Sequence, residues 1–157
     1  MKVKLTKGRS ALLSEIEKLE SEIGRALPHS FLEFIRQYDG AEPETNIFKI
    51  GNVNESGVKG FIPVREVSEE RRNIENLPLA SFPIAWAEGG NYVFIDALSG
   101  SVYFWDHEQP VPPVQMASDF AAFIEMLEPF DPGSIRLKPG QVKSAWIDPD
   151  FLKKFKQ

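Results

Sequence analysis

At 157 residues, with 42% hydrophobic and 26% charged side chains, the chain has the size and balance of one domain able to bury a core. It holds no cysteine, which excludes disulfide frameworks, thiolate zinc sites and cysteine nucleophiles together and fits a reducing cytoplasm. A net charge of −5 argues against nucleic-acid binding, which needs a Lys/Arg-rich face, and is compatible with a basic protein partner.

The N-terminal stretch Met1 to Lys7 is basic but has no apolar run behind it, so it reads as neither a signal peptide nor a membrane span. Leu12, Ile16, Leu19 and Ile23 recur at helical spacing among Glu15, Glu17, Lys18, Glu20 and Glu22, with Ser10 as N-cap and Gly24 as stop. A second helix follows. Pro28 suits its first turn, or Ser30 and Glu33 form a capping box two residues later; Phe31, Phe34, Ile35 and Tyr38 make one face, and Gly40 ends it. Arg36 is the one base-reading cation this helix offers, so a DNA-reading helix-turn-helix is rejected.

Asn46 to Ile50 reads as a first strand, Gly51 to Gly60 as a flexible glycine loop, and Phe61-Ile62-Pro63-Val64 as a short strand. Glu66 to Asn76 is charged and reads as a short helix with Val67 and Ile74 inward. Asn54-Glu55-Ser56 matches a glycosylation sequon, coincidental without a secretion signal. Phe82 to Asp106 carries the strongest strand pattern. Three apolar runs, Phe82–Ala87, Asn91–Asp96 and Ser101–Asp106, are joined by the turns Glu88-Gly89-Gly90 and Leu98-Ser99-Gly100, which predicts an antiparallel meander. Alternation puts Val102 and Phe104 on one face and Tyr103 and Trp105 on the other. After a proline-rich connection, Ser118 caps a helix whose stripe is Phe120, Phe123, Ile124 and Leu127. Beyond it, Trp146, Ile147, Phe151, Leu152 and Phe155 are too apolar for a disordered tail, and a short helix is expected over Asp150–Lys156. The expected fold is α+β: one antiparallel sheet with helices at both chain ends packed on one face. Residues 1–130 form the domain, and 131–157 an extension folding back on it.

Catalytic patterns are missing. The histidines are His29 and His107, and no Gly-x-Ser-x-Gly elbow is present. Asp106-His107-Glu108 is the densest ionisable cluster, yet consecutive residues at a strand end point apart, so a polar turn is the better reading than a metal or acid–base site. The glycines of 51–60 lack the Lys-Ser/Thr pair and helix of a phosphate loop, and Asp148-Pro149-Asp150 lacks calcium-loop spacing. Trp86 and Trp105 are candidate binding anchors, although an aromatic residue in a strand is more often core.

Ile16-x3-Glu20-x2-Ile23-Gly24-x2-Leu27-Pro28-x2-Phe31-x2-Phe34, then Tyr38-Asp39-Gly40, resembles the N-terminal signature of the SUKH superfamily, specifically its Smi/Knr-type domain. Phe82-Pro83-Ile84-Ala85, Glu88-Gly89-Gly90-Asn91, Phe94-Ile95-Asp96, Gly100-x-Val102 through Glu108 and Ala117-x-Asp119-Phe120-x2-Phe123-Ile124 follow in the family's order, over residues 8 to 128. The family's usual Asn-Gly-Gly after the second helix is Asp39-Gly40-Ala41 here. The resemblance implies a non-catalytic, protein-binding domain, and the residues themselves, with no cysteine and two histidines far apart, add the expectation of a cytoplasmic chain without cofactor or metal. It is similar to bacterial immunity proteins that neutralise polymorphic toxins, and related fungal domains are regulatory scaffolds. The partner expected is a protein, such as a basic toxin domain, with no nucleic acid and no membrane. The expected binding surface joins Tyr103 and Trp105 to Glu88, Asp106 and Glu108, unless Trp146, Phe151 and Phe155 cover the rings; the 51–60 loop is the next candidate. A regulatory scaffold without a toxin and a small-molecule-binding domain are the other readings. A neighbouring toxin gene favours the immunity protein, a long disordered extension the scaffold, and a deep polar pocket with convergent ionisable groups the last.

Overall fold

The amphipathic spacing at the start of the chain becomes two helices in the computed structural model, which describes residues 3–51, 54–109 and 111–130. Helix α1 (Leu13–Ile23) buries Ile16, Leu19 and Ile23, and stops where Gly24 turns left-handed at φ 73°. Its start is later than the Ser10 cap predicts. Leu12 is the N-cap residue, and its N–H donates to the Glu15 carboxylate at 3.1 Å. A glutamate reaching back from the first turn thus replaces a hydroxyl cap. Helix α2 (His29–Tyr38) follows directly on Pro28 and buries Phe31, Phe34 and Ile35.

A two-stranded ribbon pairs β1 (Leu5–Thr6) with β2 (Glu42–Pro43), neither of which the sequence pattern announces. Gly8 lies against α2 here: a Cβ on it would sit 2.8 Å from Tyr38 Cα and 3.1 Å from the Gln37 carbonyl. Both obstacles are backbone, so they cannot swing aside. Gly8→Ala should cost about 1–3 kcal/mol in thermal or urea unfolding, and an unchanged melting temperature would refute this packing.

Six antiparallel strands form the main sheet among the described residues, in the order β3 (Ile47–Ile50), β4 (Asn54–Phe61), β5 (Ser81–Ala87), β6 (Tyr92–Asp96), β7 (Val102–Trp105) and β8 (Val114–Ala117). The meander β5–β6–β7 is the one expected. Two expectations fail beside it. Most of the expected glycine loop over 51–60 is a strand: residues 54–61 form β4, paired to β3 on one side and β5 on the other. Its glycines are used for close approach, since a Cβ on Gly57 would meet Glu88 Oε1 at 3.0 Å and Asn46 Nδ2 at 3.1 Å. Phe61–Val64 is not a separate strand either. Phe61 closes β4, and Val64 opens α3 (Val64–Glu70), which continues as a 3₁₀ turn over Arg71–Asn73. Val67 and Ile74 are buried as predicted.

The sheet curls until its edge strands β3 and β8 approach within 8 Å at Cα. Its inner face carries Phe82, Val93, Ile95, Val102 and Phe104. Helix α4 (Phe120–Met126) and α2 close that face. Phe31 contacts Phe82 and Phe120 at centroid distances of 5.3 Å each, Phe34 contacts Phe61 at 4.8 Å, and Phe48 lies 5.8 Å from both Phe104 and Phe123. Asp119, not Ser118, caps α4, its carboxylate accepting the Ala122 N–H at 2.7 Å. Asp119 is one residue closer to the first turn, and so reaches the free N–H three positions on. The result is an α+β fold. The expected helix over Asp150–Lys156, and any cover from Trp146, Phe151 and Phe155, lie outside the described residues.

One polar junction ties the three helices α1, α2 and α3 together. Asp39 is buried, and its Oδ1 accepts the Val64 N–H at 2.8 Å. Its Oδ2 lies 2.8 Å from Arg9 Nη2, which also pairs with Glu15 at 2.8 Å. Burial pushes the Asp39 pKa up, more than the Val64 N–H and Arg9 pull it down. Burial acts the same way on Glu15, but bonds from Arg9 and the Leu12 N–H, with the charges of Arg9 and Arg65, outweigh it and leave its pKa lowered.

Candidate protein-binding surface

The turn between β5 and β6 needs backbone that few residues supply. Gly89 and Gly90 have φ of 74° and 79°, and a Cβ on Gly90 would lie 3.2 Å from the His107 ring. His107 is seated there by Asn91, whose Oδ1 accepts the His107 N–H at 3.1 Å and lies 2.7 Å from its ring Nδ1. The Asp106-His107-Glu108 segment is therefore a turn clamped to the neighbouring strand, as its spacing suggested. Asp106 Oδ1 accepts the Glu108 N–H at 2.9 Å and holds the turn closed.

This clamp sets one wall of a cleft of about 660 Å³ between the ends of the curled sheet. Its rim carries Glu55 from the β3–β4 hairpin, Glu88 from the β5–β6 turn and Asp106 from the end of β7; Ile50, Phe104 and Val114 supply apolar surface. No Lys or Arg lines it among the described residues. Lys49 stands opposite Glu55 in register, yet the two form no ion pair. Three carboxylates sharing a concave, partly apolar surface make a negative potential there that favours a cationic group.

A second groove, of about 370 Å³, runs along the outer face of the sheet. Trp105, Phe94, Ile74 and Leu77 line it, and the two clefts share Gln109, Val111 and Pro112 as a common wall. Tyr103 stacks on Phe94 with centroids 5.2 Å apart and planes 12° apart, and Trp105 lies 6.1 Å from Tyr92; both Tyr103 and Trp105 are half-buried. The Tyr92 hydroxyl donates to Glu70. Burial first, and that bond second, push its pKa up, so it stays a neutral donor.

The five predicted residues thus do not form one patch. Glu88 and Asp106 meet in the acidic cleft. Trp105 lines the outer groove, Tyr103 sits farther along the same outer face, and Glu108 projects into solvent beyond the turn. Glu55 was missed because its segment reads as a glycine loop; the register Lys49↔Glu55 would have placed it on a hairpin arm. Asn91 stands in the quoted Glu88-Gly89-Gly90-Asn91 run, but its clamp on His107 joins residues sixteen apart and has no local signal. Among the described residues no group of three or more His, Asp or Glu is placed to hold a metal, and no helix is long and apolar enough to cross a membrane.

A helix pair, an antiparallel six-stranded sheet and a closing helix, with open clefts at the sheet's mouth and outer face, make up an α+β domain. The chain belongs to the SMI1 / KNR4 family (SUKH-1), whose model matches residues 11–126. The family is known for immunity and regulatory roles, is generally non-catalytic, and its domains typically bind protein partners. No curated protein matches the chain in a sequence search.

Proposed function

We propose that the chain is a cytoplasmic immunity protein that binds and neutralises a bacterial polymorphic toxin without catalysis. The binding surface is the Asp106–Pro112 wall with its two clefts. One observation carries this reading: Glu55, Glu88 and Asp106 come from three separate segments, yet share one cleft with apolar walls and no lining cation. Such a surface suits a basic partner, with carboxylates steering encounter and Trp105, across the wall, supplying desolvated contact area.

The partner is first to be identified by co-purification from the native cell. Glu55→Lys with Glu88→Lys should then slow association about tenfold at low salt, an effect that shrinks as salt is raised. Trp105→Ala should speed dissociation, with a loss of about 1–2 kcal/mol in affinity. The charge variant should melt close to wild type, and Trp105→Ala, which loses a half-buried ring, should melt lower but with the wild-type circular dichroism spectrum. Wild-type binding by both variants would place the surface elsewhere, and a captured partner without toxin activity would overturn the immunity role.

A further inference from the structure

Charge is unevenly divided along this chain. Residues 131–157 carry six Lys/Arg against three Asp/Glu, a net +3, whereas residues 1–130 carry twelve against twenty, a net −8. The basic part is also apolar, and the two properties interleave in Phe151-Leu152-Lys153-Lys154-Phe155-Lys156. The acidic part has a cleft with the complementary pattern, Glu55, Glu88 and Asp106 around Ile50, Phe104 and Val114. Val114 is 38% exposed, so the apolar surface there is open to a ligand.

We propose that the segment Phe151–Lys156 docks in this acidic cleft of its own chain. Its aromatic rings meet the apolar wall, and its lysines meet the three carboxylates. The last described residue, Phe130, follows Glu128, which bridges to Ile47 at the start of β3, so the segment departs from an edge strand of the same sheet. Twenty-one residues lead from Phe130 to Phe151, and an unstructured chain of that length would span roughly 25 Å r.m.s., against a radius of gyration of about 14 Å for a body of 130 residues. The cleft is within reach. Tethering gives the segment an effective concentration in the millimolar range, so a contact too weak to hold two separate molecules together is occupied within one. The functional consequence, that a basic partner must displace the segment, rests on the reading above; the docking itself does not.

The absence of cysteine allows a clean test in the full chain. A nitroxide on Gln157→Cys should selectively weaken the amide NMR signals of Glu55, Glu88 to Asn91 and Asp106. Diluting the labelled protein with unlabelled chain should leave that loss unchanged. The signals should recover with about 0.5 M salt, where the screening length is only a few ångströms, and in the variant K153E/K154E/K156E, whose unchanged signal dispersion controls for folding. Loss centred instead on Tyr103 and Trp105, or on α2 and α4, would overturn the proposal. So would loss that disappears on dilution, or no selective loss. No partner is present in this experiment, so its failure leaves toxin binding standing, and failure to find a partner leaves it untouched.

Discussion

Phe123→Ala and Phe34→Ala should each lower stability by about 3–5 kcal/mol, the range for emptying a buried aromatic site. Phe123 is 0% exposed and its ring lies between those of Phe48 and Phe120, at 5.8 and 6.4 Å. Phe34 is 6% exposed and touches Phe61, Phe120 and Tyr38 at 4.8, 4.9 and 5.6 Å. Each ring joins a helix to another layer, so neighbours held by strands on one side have little freedom to collapse into the void. For a chain of this size the melting temperature should fall by roughly 6–20 °C. Thermal unfolding followed by circular dichroism measures it, and wild-type melting by both variants would show that the packed faces are wrongly assigned.

The polar junction at Asp39 should give the other large effect. Asp39→Ala leaves the buried Val64 N–H without an acceptor and takes one of two carboxylates from Arg9. A loss of about 2–3 kcal/mol is expected. It should not approach the cost of orphaning a fully buried charge, because Arg9 is about a third exposed and keeps Glu15. Asp39→Asn retains the side-chain carbonyl and separates hydrogen bonding from charge. Because the folded protein holds the Asp39 proton more tightly than the unfolded chain, wild-type stability contains a contribution that falls as pH rises from the ordinary aspartate value through the raised one. The asparagine variant has no such contribution. The stability difference should therefore move in favour of Asp39→Asn across that window and level off above it. The lowered pKa of Glu15 works in the opposite sense, its stabilisation being lost as pH falls through the folded value, but it is common to both proteins. Urea unfolding of both across this range measures the difference. A pH-independent gap would mean that Asp39 does not titrate as its burial dictates.

What was legible in the sequence depended on side chains carrying the pattern. The stripe of Phe120, Phe123, Ile124 and Leu127, and the alternation of Val102 and Phe104 against Tyr103 and Trp105, both survive in the structure because burial selects for them directly. Strand β4 was hidden for the opposite reason. Gly57 and Gly60 leave gaps in the alternation, and what they accommodate, the side chains of Glu88 and Trp86, belongs to distant residues. Strand β8 is four residues long and follows a proline-rich stretch; pairing with β7 makes it a strand, not its own composition. In the acidic cleft Glu88 and Asp106 were legible as polar strand ends. The separation of Trp105 from Asp106 follows from the alternation already used to sort the faces, which sends neighbours to opposite sides. The acidic cleft additionally needs the curl that draws the sheet's two ends together, and that is set by the whole sheet.

The wall between the clefts has a bearing on how such a domain diversifies. It is anchored at one end by β7 and the His107–Asn91 clamp and at the other by β8, while Gln109, Val111 and Pro112 are themselves exposed. Substitutions at Gln109, Val111 and Pro112 alter both clefts at once, yet displace nothing that the helices and sheet need for folding. The shape and apolar character of both clefts can therefore change in small steps, with the fold beneath them inherited unchanged.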